Sequence, residues 1–308
     1  INGGLDQGGF CLHTEGNTVY YELGHNDAKA YYARINITKE GVIFVHNGTI
    51  QFSITSSEGE EKENRKIGHI NSITSIGDSS KDGLNTIGKF GIGFKSVFSY
   101  TDTPYIYDDK FWFRIDNYIV PTLLDEDFES RNEGETLFWL PFKSNDKERC
   151  YKEVAKKIRT LDNPILFLDN IDSIEWIDEP CNESSRYTKT IECCRKFKGA
   201  QGELLRVSNS GEPYKIWMFH RSMFIEGVKK AQRISVGYYV NEVDGRDVID
   251  TNVNPKVFCY FPTSENFNQK RILHAPFLLT ASRSELREDK FNDFLIQELA
   301  RLSADSLV

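Results

Sequence analysis

No two cysteines in this 308-residue chain stand at CxxC spacing. The six are Cys11, Cys150, Cys181, Cys193, Cys194 and Cys259, and the adjacent Cys193-Cys194 lacks the usual zinc spacing. Free or buried thiols in a reducing compartment are expected rather than a metal site. No apolar run reaches the length that spans a membrane, and no signal peptide is visible. A basic excess is also missing. The formal net charge of -8 argues against a general nucleic-acid binder, although a local basic patch is compatible with it. No internal repeat is found. The chain opens at Ile1 with Asn2-Gly3-Gly4 and reads as a cytoplasmic protein, expected to be a piece of a larger one.

What is present is core material. A 39% hydrophobic and 13% aromatic composition excludes a disordered chain. The length suits two domains, at roughly 150 residues each. A change of character near Asp178-Glu179-Pro180 predicts a boundary, giving domains over 1–179 and 180–308.

The most pointed stretch is Ile87-Gly88-Lys89-Phe90-Gly91-Ile92-Gly93-Phe94-Lys95-Ser96. Glycines let backbone approach a ligand that a Cβ would keep away. Successive N–H groups ahead of a helix, expected over 94–100, make an anion site. The plainer alternative is a glycine turn between two core elements. A P-loop is a near miss. Gly83 to Lys89 fits GxxxxGK, but the next position needs a magnesium-binding hydroxyl and holds Phe90.

Along the chain, residues 18–31 carry a helical pattern that puts Glu22 and Asn26 one turn apart. In that geometry a carboxylate and a carboxamide can hold a water and a metal ion; two ordinary surface residues are the alternative. Residues 32–37 and 41–45 read as a hairpin ending in the turn signal His46-Asn47-Gly48. The charge run 58–66 reads as a solvated loop. The polar loop 77–83 reads as a lid feeding the glycine stretch. Strands are expected at 105–107, 111–115, 134–141, 165–168 and 171–177, with an acidic turn at 125–129 and a helix over 146–161. Beyond the boundary, strands at 186–194, 203–207, 214–221, 235–240 and 257–261 precede a helix over 291–302. The fold class is therefore α+β in both parts.

Four of these pieces recur in order in a known family: the Glu22/Asn26 segment, His46-Asn47-Gly48, the loop 77–83 running into Gly88–Lys95, and Gly134-Glu135-Thr136. In this the chain resembles the GHKL ATPases of gyrase, the ninety-kilodalton heat-shock chaperones, histidine kinases and MutL. It looks most like the chaperone-like ATPase domains of sacsin and of large bacterial ATP-binding proteins. The resemblance covers about residues 18–178 and implies a Bergerat-type two-layer α/β sandwich with ATP and Mg2+. By resemblance Glu22 is the general base and Asn26 the magnesium ligand, although Asp27-Ala28 arrives two residues earlier than the family motif. His46 stands where the family has an aspartate that receives the adenine amino group, and a neutral imidazole nitrogen can accept the same N–H. Asn47 and Gly48 complete that motif, and Ile50 replaces its second glycine. Ser79, Ser80 and Lys81 in the lid, then Gly88, Lys89, Phe90, Gly91, Ile92, Gly93, Phe94 and Lys95, are the implied triphosphate cradle. Thr136 matches the last nucleotide-contacting position.

Residues 258–283 resemble the middle domain of the same group, a second α+β unit of transducer type. There Arg283 is the candidate to reach the γ-phosphate, with Lys270 and Arg271 behind it. The implied activity is ATP hydrolysis driving lid closure, with an ATP-dependent homodimer or a protein effector or client as partner. Chaperone-like remodelling and control of a bacterial, anti-phage type defence effector are both compatible. A nucleotide-sensing module with little hydrolysis is the rival. No phosphoacceptor helix accompanies His13, His25, His69, His220 or His274, which disfavours a histidine kinase.

Overall fold

The computed structural model describes residues 10–15, 18–23, 30–55, 68–74, 92–197, 200–224, 231–280 and 285–307. The chain is α+β, mostly strands with few helices. It forms two compact units.

At the N-terminus β1 (Phe10–Glu15) and β2 (Thr18–Leu23) pair antiparallel, with Cys11 opposite Glu22. This corrects the helix expected over 18–31. Thr18-Val19-Tyr20-Tyr21 is a β-branched and aromatic run, and such residues fit a pleated strand better than a helix. Glu22 therefore belongs to a strand and not to the expected helix. Asn26 lies outside the described residues.

One unit comprises 27–160 and 173–185. Its elements are β3 (Ala30–Ile37), β4 (Gly41–His46), α1 (His69–Thr74), α2 (Ile92–Lys95), β5 (Tyr105–Tyr107), β6 (Trp112–Asp116), β7 (Val120–Leu123), β8 (Thr136–Pro141), α3 (Lys147–Arg159) and β9 (Ile171–Asp178). The strand order is β9-β3-β4-β8-β5-β6-β7. The expected hairpin 32–45 is present, with Ile35 opposite Phe44. The helix expected over 94–100 is instead the four-residue α2 followed by a 3-10 turn over Ser96–Ser99. Period-2 alternation sorts the side chains onto two faces. On one face Ile106, Phe113 and Ile115 pack with Ile70 of α1, Phe94 of α2 and Phe98, while Val42 packs with Cys150 of α3. On the other, Val45, Tyr107 and Leu137 pack with Tyr32, Trp112 and Trp139 beneath Leu124 and Phe128. Each fully buried side chain of this kind contributes about 1.5–3 kcal/mol.

Gly41 of β4 pairs with Pro141 of β8 where there is no room for a side chain. A Cβ there would lie 2.4 Å from the Leu140 carbonyl oxygen and 2.8 Å from Pro141 Cα, both backbone atoms that cannot swing away. Gly41→Ala is expected to cost about 2 kcal/mol, within the range of ordinary overpacking. A urea melt reads this directly, and a loss below about 0.5 kcal/mol would contradict the packing described.

The other unit contains 161–172 and 186–308, and groups with the β1–β2 ladder. Its further elements are β10 (Glu183–Phe197), β11 (Ala200–Asn209), β12 (Tyr214–Met223), β13 (Gln232–Val243), β14 (Arg246–Ile249), β15 (Val257–Cys259), β16 (Phe261–Pro262), β17 (Ile272–His274) and α4 (Lys290–Ser306). The order is β16-β15-β17-β13-β12-β11-β10, with β14 on β13 and β15 parallel to β17. Asp289 caps α4 by accepting from the Phe291 N–H at 3.0 Å. The helix lays Leu295, Leu299 and Leu302 on Phe219, Ile234, Val236 and Leu273. On the opposite face Leu166 and Phe167 cover Leu205, Ile216, Met218 and Ile272.

Residues 165–168, expected as a strand, form a buried turn instead. Leu166 N–H donates to Asn163 O and Leu168 N–H to Ile165 O, at 3.3 and 3.2 Å. An apolar run of four is compatible with any buried backbone, and here Asn163 at φ 48° and Pro164 bend it out of extension.

Candidate functional site

Two motifs far apart in sequence meet because β8 lies between β4 and β5. The ladder sets His46 opposite Thr136 and Tyr107 opposite Leu137. The turn after β4, the loop between β5 and β6 and the loop before β8 therefore converge. They enclose a cavity of about 430 Å³, within the range of small-molecule pockets. Its walls are Tyr32, Asn47, Gly48, Thr49, Gln51, Asp108, Asp109 and Glu133 to Thr136.

Local hydrogen bonds fix each wall. Asn47 Oδ1 accepts the Tyr32 N–H at 3.0 Å, and the Gly48 N–H donates to His46 Nδ1 at 3.0 Å. The buried Asp108 carboxylate closes its own loop and ties it to the next segment. It accepts N–H groups from Phe111 and Phe52, each at 2.6 Å, and from Lys110 at 2.8 Å. Asp109 accepts from Arg131 Nη1 at 2.7 Å, the Gly134 N–H at 3.0 Å and Gln51 Nε2 at 3.3 Å. Arg131 is the hub behind this wall. Its guanidinium also grips Asp127 at 2.6 Å and the Glu135 carbonyl oxygen at 2.9 Å. Glu135 accepts from the Tyr32 hydroxyl and from the Asn132 N–H, with Arg34 3.7 Å away. Burial first, then that hydrogen bond, pushes the Tyr32 phenol up to about 12.

The charge pattern limits what the cavity can hold. Its lining carries the carboxyl groups of Asp108, Asp109, Glu133 and Glu135, whereas the cations Arg131 and Arg34 stand behind the wall. Such a lining suits the neutral, hydrogen-bonding end of a ligand and repels a bare polyanion. Burial lowers the His46 imidazole below its ordinary value. A neutral ring whose Nδ1 accepts from Gly48 carries its proton on Nε2, so it offers a donor rather than the acceptor expected of it. The ring packs beside Phe44 and Phe138, at 5.8 and 6.1 Å between centroids.

Of the residues singled out in the sequence, Asn47, Gly48 and Thr136 line one cavity, and His46 adjoins it through the ladder. Phe94 is a core side chain, 6.2 Å from the Phe138 ring and 6.4 Å from Phe98. Ile92, Gly93 and Lys95 belong to α2. Glu22 belongs to β2. Asn26, Ser79, Ser80, Lys81, Gly88, Lys89, Phe90, Gly91 and Arg283 lie outside the described residues. Tyr32, Asp108, Asp109 and Arg131 carry no motif in the sequence, and Glu135 stands in one, Gly134-Glu135-Thr136, without a role of its own. The signal for the aspartates was present, since two adjacent carboxylates in the turn of a predicted hairpin favour local N–H capture. Arg131 follows the acidic turn 125–129 and carries no motif of its own.

Among the described residues, no group of three or more His, Cys, Asp or Glu is placed to hold a metal ion. Magnesium held mainly by phosphates needs only one or two protein ligands, so such a cluster is not required for it. No described helix is long and apolar enough to cross a membrane.

No family model matches the chain. Over 267 residues it is 27% identical to Protein NO VEIN of Arabidopsis thaliana, covering 78% of this chain and 9% of that protein's length. Among solved structures, a topoisomerase IV ATP-binding domain of Francisella tularensis, in complex with a small-molecule inhibitor, is similar at 12% identity and a TM-score of 0.34. That likeness covers 58% of this chain and 53% of the other, and at this level it carries no inference about fold or function.

Proposed function

We propose that the chain binds ATP with Mg2+ and hydrolyses it, with closure of a lid over 77–87 as the output. The observation that carries this reading is the meeting of Asn47-Gly48 with Thr136 across the β4–β8 ladder, at a cavity of nucleotide-compatible size. The resemblance of the glycine stretch to a GHKL lid hinge joins it to phosphate binding. In this proposal the carboxylate-lined cavity takes the base and ribose end. By the same resemblance the phosphates would go to the glycine stretch 88–93, whose N–H groups would hold them. Mg2+ bound with the nucleotide would neutralise phosphate charge. Glu22 would orient the attacking water, Asn26 would hold the ion, and Arg283 would reach the γ-phosphate. Partner control, by ATP-dependent dimerisation or by an effector or client protein, belongs to the same proposal.

Two observations favour the second reading, a nucleotide sensor with little hydrolysis. Glu22 lies on a strand rather than on a helix, and His46 presents a donor where an acceptor is needed.

The binding half is tested with Thr136→Val, which removes a hydroxyl and keeps the shape. Equilibrium titration with a fluorescent ATP analogue is expected to show roughly five- to tenfold weaker binding, the worth of one neutral hydrogen bond of about 1 kcal/mol. Unchanged affinity would remove Thr136 from the site.

A further inference from the structure

In the unit that holds α4, residues 161–172 run as a strap across the sheet face opposite that helix. In sequence the strap follows α3 and runs into the first residues of β9. Its contacts are polar as well as apolar. Leu161 O accepts from the Tyr187 hydroxyl at 3.2 Å, and Leu166 O accepts from Lys189 Nζ at 3.1 Å. Asp169 pairs with Arg233 at 2.8 Å and faces Lys189 at 3.8 Å. Between these anchors the Phe167 ring lies flat on the imidazole of His274, with centroids 4.1 Å apart and planes 14° apart. Tyr260 closes the ring's other approach edge-on at 5.3 Å.

His274 is unusual among buried polar residues. It is only 2% exposed, and neither ring nitrogen has a hydrogen-bond partner among the described residues. A buried imidazole normally spends at least one nitrogen on a partner. Its neighbour across the ladder, Ser235, bonds to His220 Nδ1 at 2.7 Å, and His220 Nε2 stands 3.3 Å from Glu203. The charged and titratable groups around the ring therefore come from every element packed there. They are Asp169 of the strap, Lys189 of β10, Glu203 of β11, His220 of β12, Arg233 of β13 and Tyr260.

We propose that the strap is a proton-linked latch. Its docking buries His274 in a form that has no use for a proton, so a mildly acidic medium favours the undocked strap. Lifting Phe167 uncovers the ring face, and the freed imidazole takes up a proton in water. Returning it to the docked position would set a third cation beside Arg233 and Lys189.

Burial, with Arg233 second, holds the docked His274 well below the ordinary imidazole range. A base whose docked pKa is depressed keeps its full docking free energy above its exposed pKa and loses it as the pH falls below that value. The window therefore opens at about pH 6.5 and runs downward. Asp169 does not share it. Burial raises that carboxyl, but Arg233 and Lys189 outweigh burial and leave it below the ordinary value, so it stays ionised across the window. His220 is lowered by burial too, but it keeps its Ser235 and Glu203 partners when the strap lifts.

Hydrogen exchange of the full chain tests the latch. Exchange is followed in a peptide spanning 165–169 at pH 7.5 and 5.5, corrected for intrinsic rates, with an α4 peptide reporting global opening. One exposed imidazole predicts about a tenfold greater opening of the strap at pH 5.5, with α4 still protected. His274→Phe keeps the stack, loses the titration and is expected to show no such change; His274→Leu is the second variant if the first does not fold. Equal acid sensitivity in the His274 variants would overturn the proposal. So would a pH-independent strap in the wild type, or a strap that opens only together with α4.

Discussion

Arg131→Ala is expected to destabilise the chain by about 2–3 kcal/mol, a little below the usual effect of breaking a buried ion pair. The side chain is only 7% exposed and bonds to two carboxylates, those of Asp127 and Asp109. It also holds the Glu135 carbonyl oxygen. Its loss removes a donor from that acceptor and, among the described residues, the only counter-cation bonded to two half-buried anions, which keep only neutral N–H donors. The Arg131 hydrogen bond is the first cause of the lowered carboxyl pKa at both Asp109 and Asp127. A carboxylate with a depressed folded pKa stabilises above its unfolded pKa, near 3.9, and loses that stability as the pH falls through the folded value. The variant is therefore expected to lose stability at neutral pH and to show a smaller further loss between about pH 4 and 2 than the wild type. Arg131→Lys keeps the charge but not the fork, and falls between the two. Urea melts at pH 7 and pH 3 measure both effects, and a neutral-pH loss under about 0.5 kcal/mol would show that Arg131 does not hold this wall.

Glu22→Ala is expected to lower ATP turnover by about 10²–10⁴-fold, the usual contribution of a general base. Nucleotide affinity should change by less than about threefold, because a group acting only in the transition state adds little to ground-state binding. The role of Glu22 comes from the resemblance of residues 22–26 to a GHKL motif alone. The structure places Glu22 on β2 opposite Cys11, without the helix that would stack it over a residue four positions on. Single-turnover hydrolysis with and without Mg2+ decides. A variant that hydrolyses like the wild type removes Glu22 as the base. A wild type that binds ATP and barely turns it over supports the sensing reading.

Much of the strand framework was legible because alternation reports a half-buried face. The strand β3 follows from period 2 and the terminal helix α4 from period 3.6, while β4, β5, β6 and β8 follow from short apolar or aromatic runs bounded by turn signals. The same logic failed where both periods fit. Val19, Tyr20 and Leu23 can share a helix face, yet β-branched and aromatic residues settle as a strand when a partner strand is present. Ile165 to Leu168 shows the converse, an apolar run that is buried as a turn. The strand β14 has its own sequence signal in the turn before it. Asp244 and Gly245, at φ 52° and 71°, make the two-residue hairpin loop that this dipeptide favours.

At the site, Asn47, Gly48 and Thr136 were legible through motif order. The Asp109–Arg131–Asp127 hub was not, because Asp109 and Arg131 are joined by the pairing of β5 with β8 and not by any local spacing. Nor was the proton position on His46, which depends on a hydrogen bond from the backbone N–H of Gly48. The same holds for His274. Its isolation comes from a ring stacked by a segment distant in sequence, and nothing around position 274 signals it.

The central claim is that this chain binds ATP at the cavity between the 47–51 turn and Thr136. Calorimetric titration of Mg-ATP into the intact chain tests it most directly. A single saturable site with Kd in the micromolar range, weakened in Thr136→Val, is the predicted result. No saturable heat at millimolar ATP, or an affinity indifferent to Thr136→Val, would contradict it.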